Sequence, residues 1–210
     1  MKRVLRLKPL ISIEIIIACL LGLFGTAALA NSRHLIWGET GLLKAIYSLP
    51  DSLTPMFLAI TLIGSPWILA LLMAWLLALE RPKRAIYAGL VGVTTLLLVE
   101  IGKRLVARPR PMILVHREQF VTGFGFPSGH TALATALAFS IYPWLPKKWR
   151  WLTWIWIFAV ALSRLYLGVH APLDIIGGFM IGVLAAICVQ LTVVPENRKR
   201  LKTRIAKTKK

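Results

Sequence analysis

The chain has 210 residues, 57% hydrophobic and 16% charged, against roughly 25% charged in ordinary soluble domains. That balance excludes both a conventional soluble enzyme and a disordered chain. The formal net charge of +18 does not imply nucleic acid, because Lys and Arg gather at the chain ends and in short loops, as orientation signals and anionic-lipid contacts do in membrane proteins.

A helix crosses ~30 Å of hydrocarbon with about 20 apolar residues. Six such runs are predicted, at 9–30, 53–79, 85–102, 128–145, 151–169 and 172–193, giving an all-α, six-helix integral membrane bundle. Between the first two, residues 31–52 carry scattered apolar positions (Leu35, Ile36, Trp37, Leu42, Leu43, Ile46, Tyr47), a pattern that suits a short interfacial helix. The third and fourth runs flank 103–127, the longest stretch unsuited to lipid. No repeat or low-complexity linker interrupts the chain, so a single domain over 1–210 is expected, with a basic tail at 194–210. Cys19 and Cys188 sit inside apolar runs without metal-ligand spacing and read as packing residues. Gly178 and Gly182 have the small-xxx-small spacing of helix contacts.

Alternate connections place 18 Lys and Arg on the side of both termini and 8 on the other. The positive-inside rule makes the termini cytoplasmic in a multi-pass inner-membrane protein. Segments 103–127 and 163–174 then share the outer face. Ala28-Leu29-Ala30 fits a signal-peptidase site, but the preceding apolar stretch is long for a signal peptide and contains Glu14, which favours retention.

Five of the eight outer-face cations lie between Lys103 and Arg117, and an anionic ligand would offset that bias. The stretch FPSGH at 126–130 opens the fourth run. Ser128 is a preferred N-cap type, Gly129 permits close backbone approach, and a helix N-terminus attracts anions. Pro172 suits the first position of the last helix and puts Asp174 in its first turn, a second positive helix end on the same face. In SRLYLGVHAPLD, residues 163–174, Arg164 joins the anion site. Asp174 could fix the tautomer of His170 and leave its other nitrogen as nucleophile or base. His130 stands beside the proposed anion site. Two histidines among fixed cations suit phosphoryl transfer by positioning and charge stabilisation.

Three motifs carry a resemblance: KRLVARPRP (Lys103, Arg110, Pro111), PSGH (127–130) and SRLYLGVHAPLD (Ser163, Arg164, His170, Asp174). In order and spacing they resemble those of the type 2 phosphatidic acid phosphatase superfamily, over roughly residues 100–175. The resemblance implies that His170 attacks phosphorus to form a phosphohistidine, that Asp174 orients it and that His130 protonates the leaving oxygen. It implies that Lys103, Arg110, Arg164, Ser128 and the Gly129 N–H hold the phosphoryl oxygens, with no metal and no cofactor. Within that superfamily, compactness and the lack of a soluble helical shell favour the small bacterial membrane members, similar to phosphatidylglycerophosphate and undecaprenyl pyrophosphate phosphatases, so the expected partners are a lipid phosphate and the bilayer's anionic lipids.

Some residues fit no motif position. Arg104, Arg108 and Arg117 read as headgroup contacts, and Glu100 as a local ion pair with Lys103 or Arg104. Two other functions share the same charges: transfer of the phosphoryl group to an acceptor other than water, and transport of an anionic lipid. A transporter should carry its ionisable residues near the bilayer midplane, and here they sit at one face.

Overall fold

A computed structural model of the chain describes residues 13–31, 35–111, 117 and 122–193. Among the described residues every regular element is helical: α1 (Ile13–Ala30), α2 (Trp37–Tyr47), α3 (Thr54–Leu62), α4 (Pro66–Ala78), α5 (Pro82–Val106), α6 (Gly129–Ile141), α7 (Trp151–Tyr166) and α8 (Pro172–Val193). The basic tail and the start of the first predicted run lie outside the described residues. The expected interfacial segment contains α2, as its apolar spacing suggested.

The membrane runs are less uniform than the hydropathy implies. Among the described residues, only α5 and α8 are individually long and apolar enough to cross a bilayer. The single helix expected over 53–79 is two helices, bent by 49°. Pro66 opens α4 without an N–H, and Ser65 before it is extended. A Cβ at Gly64 would come within 2.5 Å of Val160 and 3.3 Å of the His130 carbonyl, so the glycine lets the break press against α6 and α7. The freed Ile63 carbonyl accepts from Trp156 Nε1 at 3.0 Å, as backbone leaving a helix inside lipid requires. With 13 and 16 residues, α6 and α7 reach only about 20 and 24 Å. The sequence run at 128–145 ends early because Pro143 stands two residues past Ile141 and the chain turns 3-10 over Tyr142–Trp144.

α6 is the enclosed axis of the bundle, its residues from Thr131 to Ala138 all buried, with α5, α7 and α8 around it. Outward faces are apolar, with Phe24, Trp67, Leu105 and Phe158 among the most exposed side chains, an inversion natural to helices whose solvent is lipid. α1 lies along α8, where Cys19 packs with Val183, Leu184 and Ile187. Cys19 is thus the packing residue expected, whereas Cys188 is exposed.

The contact between α6 and α8 fixes the distance between the second and third motifs. A Cβ at Gly178 would lie 2.5 Å from the Ser128 carbonyl, and one at Gly182 would overlap the Ala132 carbonyl and stand 3.0 Å from Ala136 N. These neighbours are backbone and cannot rotate away. Gly182→Ala is expected to cost about 1–3 kcal/mol from overpacking, read as a lower thermal midpoint in detergent. Gly25→Ala on α1, where nothing lies within 4 Å, is the matched control and should not lower it.

Candidate active site

The three motifs meet where α5 ends and where α6 and α8 begin. α5 stops at Ala107, whose left-handed backbone (φ +48°) donates its N–H to the Lys103 carbonyl at 2.8 Å. The chain then doubles back, and Gly125 N–H donates to the Arg108 carbonyl at 2.8 Å. A side chain at Gly125 would stand 3.0 Å from Asp174 Oδ2, so glycine is what admits the carboxylate there. Ser128 N–H donates to the Asp174 carbonyl at 2.9 Å, tying the PSGH motif to the start of α8.

At the centre is His170, 2% exposed. Its Nδ1 lies 3.5 Å from Asp174 Oδ2, too long and poorly aligned for a hydrogen bond, as catalytic contacts often are before substrate binds. Its Nε2 faces Arg110 Nη1, also at 3.5 Å. Arg110 is held by three carbonyls, of Val169 at 2.8 Å, Thr122 at 3.1 Å and Gly123 at 3.2 Å. Arg164, 2% exposed, donates to Thr61 Oγ1 at 2.6 Å and joins α7 to α3. A headgroup-snorkelling arginine would not be buried so. Lys103 and His130 are half-buried, and the charges of Arg164, Lys103 and Arg110 all act on the His130 ring. Burial pushes the His170 imidazole down to about 4; the Asp174 carboxylate opposes that, and the charges of Arg164 and Arg110 reinforce it. His170 is therefore neutral near pH 7, the form a nucleophile needs.

Two expectations about the helix ends need correction. Ser128 does occupy the N-cap of α6 with extended backbone, but its side chain caps nothing; its Oγ accepts from Thr131 Oγ1 at 3.1 Å. The start of α8 is no open anion site either. Asp174 Oδ2 accepts from Ala171 N–H at 2.8 Å and Glu39 Oε1 from Leu173 N–H at 3.0 Å, while Pro172 has no N–H. The chain's own carboxylates occupy that helix end. First-turn amides lack intrahelical acceptors, so the amides of Gly129 and His130 at the start of α6 are what this end of the bundle offers an anion.

The cations expected at the outer face are also balanced differently. Arg104 pairs with Glu100 at 2.7 Å on the exposed surface, the local pair expected. Arg108 is no headgroup contact: it is buried and pairs with Glu39 and with Asp174, the latter at 2.9 Å. Arg117 is not one either. It lies 4.1 Å from the centres of both the Tyr47 and Tyr166 rings, donates to the carbonyls of Tyr47, Leu49 and Tyr166, and pairs with Asp51 at 2.7 Å. Carboxylates of the chain thus offset three of the five cations, and the charges of Lys103, Arg110 and Arg164 act on the His130 ring. Glu39 was missed from sequence. Its one signal is that it is an isolated acid in a chain with only 8 Asp and Glu.

A profile of the PAP2 superfamily matches residues 83–198, more than half of the chain. The chain belongs to that superfamily. Among curated PAP2 relatives, the undecaprenyl-diphosphatase of Sulfolobus acidocaldarius is 31% identical over 120 residues, covering 52% of this chain and 55% of the relative. The phosphatidylglycerophosphatase B of Bacillus subtilis is 36% identical over 107 residues, covering 45% and 51%. The chain thus spans about half the length of these relatives. A solved transmembrane PAP2-type phosphatidylglycerolphosphate phosphatase from Bacillus subtilis superposes with a TM-score of 0.70 at 26% identity, covering 83% of this chain and 94% of that one. The chain is therefore a membrane protein of this all-helical PAP2 architecture.

Proposed function

We propose that this PAP2 protein is a lipid phosphate phosphatase that works through a phosphohistidine at His170. The observation that carries the reading is the two-sided setting of the buried His170 ring, with a carboxylate at Nδ1 and a fixed guanidinium at Nε2. The Nε2 lone pair forms a bond to phosphorus as the bond from phosphorus to the lipid oxygen breaks, and that oxygen takes a proton from His130. Water then attacks phosphorus, gives a proton to His130 and releases phosphate from His170. Lys103, Arg110, Arg164, the Ser128 hydroxyl and the Gly129 N–H hold the equatorial oxygens through both steps. Because these cations neutralise the phosphoryl charge, the reaction needs no metal.

An apolar groove of about 470 Å³ runs between α3 and α7, lined by residues that include Met56, Phe57, Ile60, Phe158 and Leu162. It suits the hydrocarbon chain of a phospholipid or polyprenyl substrate whose phosphate reaches His170. The names of the relatives favour undecaprenyl pyrophosphate or phosphatidylglycerophosphate. In this reading 1–210 is one domain that crosses the inner membrane six times, with α1 retained. Both termini are cytoplasmic and the site opens outward. The cation–aromatic contacts Arg84–Trp144, Arg150–Tyr142 and Lys148–Trp149 lie at the end of the bundle away from the site and suit the cytoplasmic interface.

Inorganic phosphate release from detergent-solubilised undecaprenyl pyrophosphate, phosphatidylglycerophosphate and phosphatidate tests the proposal. Release from at least one of them, undiminished by EDTA, is expected. Lipid movement across vesicles without phosphate release would overturn the reading in favour of transport. The pH profile adds a signed expectation. Protonated His170 cannot attack, so kcat/KM should hold its plateau down the acid side and fall only as pH drops through about 4, once the substrate's own ionisation is divided out.

A further inference from the structure

Glu39 belongs to none of the motifs, yet it is 3% exposed, and three of its side chain's four hydrogen bonds lead to the site, the fourth capping its own helix. Its Oε1 accepts from Leu173 N–H at 3.0 Å and Arg108 Nη1 at 3.1 Å. Its Oε2 accepts from Arg108 Nη2 at 2.5 Å and Ile36 N–H at 3.2 Å. The same Arg108 Nη1 donates to Asp174 Oδ1 at 2.9 Å. Asp174, fully buried, has its other oxygen between Ala171 N–H and the His170 ring. The groups form one row: Glu39 on α2, Arg108 past the end of α5, Asp174 at the start of α8, then His170.

The charges in that row have a purpose that one ion pair would not serve. When Nε2 attacks phosphorus the imidazole becomes cationic, and the carboxylate at Nδ1 must stabilise it. Arg108 alone would hold Asp174 in place but compete for its negative charge. Both nitrogens of the Arg108 fork are engaged by Glu39, a geometry worth more than a point contact, and only one also reaches Asp174. We infer that Glu39 is a positioning residue: through Arg108 it fixes Asp174 Oδ1 while neutralising Arg108, so that Asp174 keeps its charge for His170, and it anchors α8 directly through Leu173. The inference rests on the proposed nucleophilic role of His170 and goes beyond it by making α2 a working part of the site.

The test is Glu39→Gln, which keeps the size and one acceptor oxygen but removes the charge and puts an NH2 donor where the second oxygen accepted. Expected is a fall in kcat of about 10- to 100-fold, the scale on which residues that orient a reacting group act, with KM within about threefold because no phosphate contact has changed. Inhibition by orthovanadate, which adopts the five-coordinate geometry of the transition state, should weaken by a similar factor, while inhibition by inorganic phosphate stays the same. A purely structural role would lower the active fraction and leave both inhibition constants unmoved. Where Glu39→Gln does not fold, Glu39→Gln/Arg108→Gln removes both charges together and carries the same expectation, because Asp174 still loses its clamp. Wild-type kcat and an unaltered vanadate-to-phosphate ratio in a folded variant overturn the inference. Turnover that survives His170→Ala overturns the nucleophile reading and this inference with it. Turnover abolished by His170→Ala but indifferent to Glu39→Gln overturns the inference alone.

Discussion

His170→Ala should lower lipid phosphate turnover by at least about 10⁴-fold, the scale seen when a nucleophile is removed from a constellation that acts as a unit. The fold should tolerate the change, since no hydrogen bond of Nδ1 is lost and Asp174 keeps its bonds to Ala171 N–H and Arg108. Binding of inorganic phosphate should survive, because Lys103, Arg110 and Arg164 are untouched. His130→Ala should behave differently. It removes the proton for the leaving oxygen and spares the attack on phosphorus, so an aryl phosphate, whose leaving group needs no proton, should recover much of the rate of the first step, read as a burst of released phenol ahead of the hydrolysis that also uses His130. The two variants assayed on a lipid phosphate and an aryl phosphate separate the roles: the His170 variant fails on both, the His130 variant chiefly on the lipid. Equal losses on both substrates for the two variants would contradict the assignment of nucleophile and acid.

What could be read from the sequence was what short spacing encodes. His170 and Asp174 stand four apart across a helix start, so the segment itself brings the ring and the carboxylate together. The prolines and glycines at 127–129 and 172 likewise announced where α6 and α8 begin. Two kinds of information were not available in that way. A run of apolar residues has the same hydropathy whether its helix is straight or broken, and only Gly64-Ser65-Pro66 hinted that 53–79 would bend. Pairing between distant charges leaves no local trace either. Arg108 between two cationic neighbours reads as a headgroup contact until Glu39, far upstream on α2, is found beside it. The helix-dipole argument failed at α8 for the same reason, because the acceptor that fills its N-terminus comes from another part of the chain.

Arg108→Ala should be the most destabilising single substitution near the site, at about 3–5 kcal/mol, the usual consequence of removing one partner from a buried ion pair. Arg108 is 2% exposed, and it lies between Glu39 at 3% and Asp174 at 0%. Without it two carboxylates face each other in a site closed to water, with only backbone N–H groups and the His170 ring beside them. For a chain of this size the loss corresponds to a fall of about 10 °C in the thermal midpoint. Turnover should collapse with it, because Asp174 loses the bond that holds Oδ1. The sign of the coupling with Glu39 discriminates between explanations. If Arg108 stabilises by packing its aliphatic stem, adding Glu39→Ala should make matters worse by a further independent amount. If its task is to neutralise, Arg108→Ala/Glu39→Ala should be more stable than Arg108→Ala alone, since one of the two uncompensated charges is gone. Neutralisation is the expected result, read from thermal midpoints of the three variants in one detergent. Stability should return in part while activity does not, because the charge at Glu39 can be deleted along with its partner, whereas the orientation of Asp174 needs both.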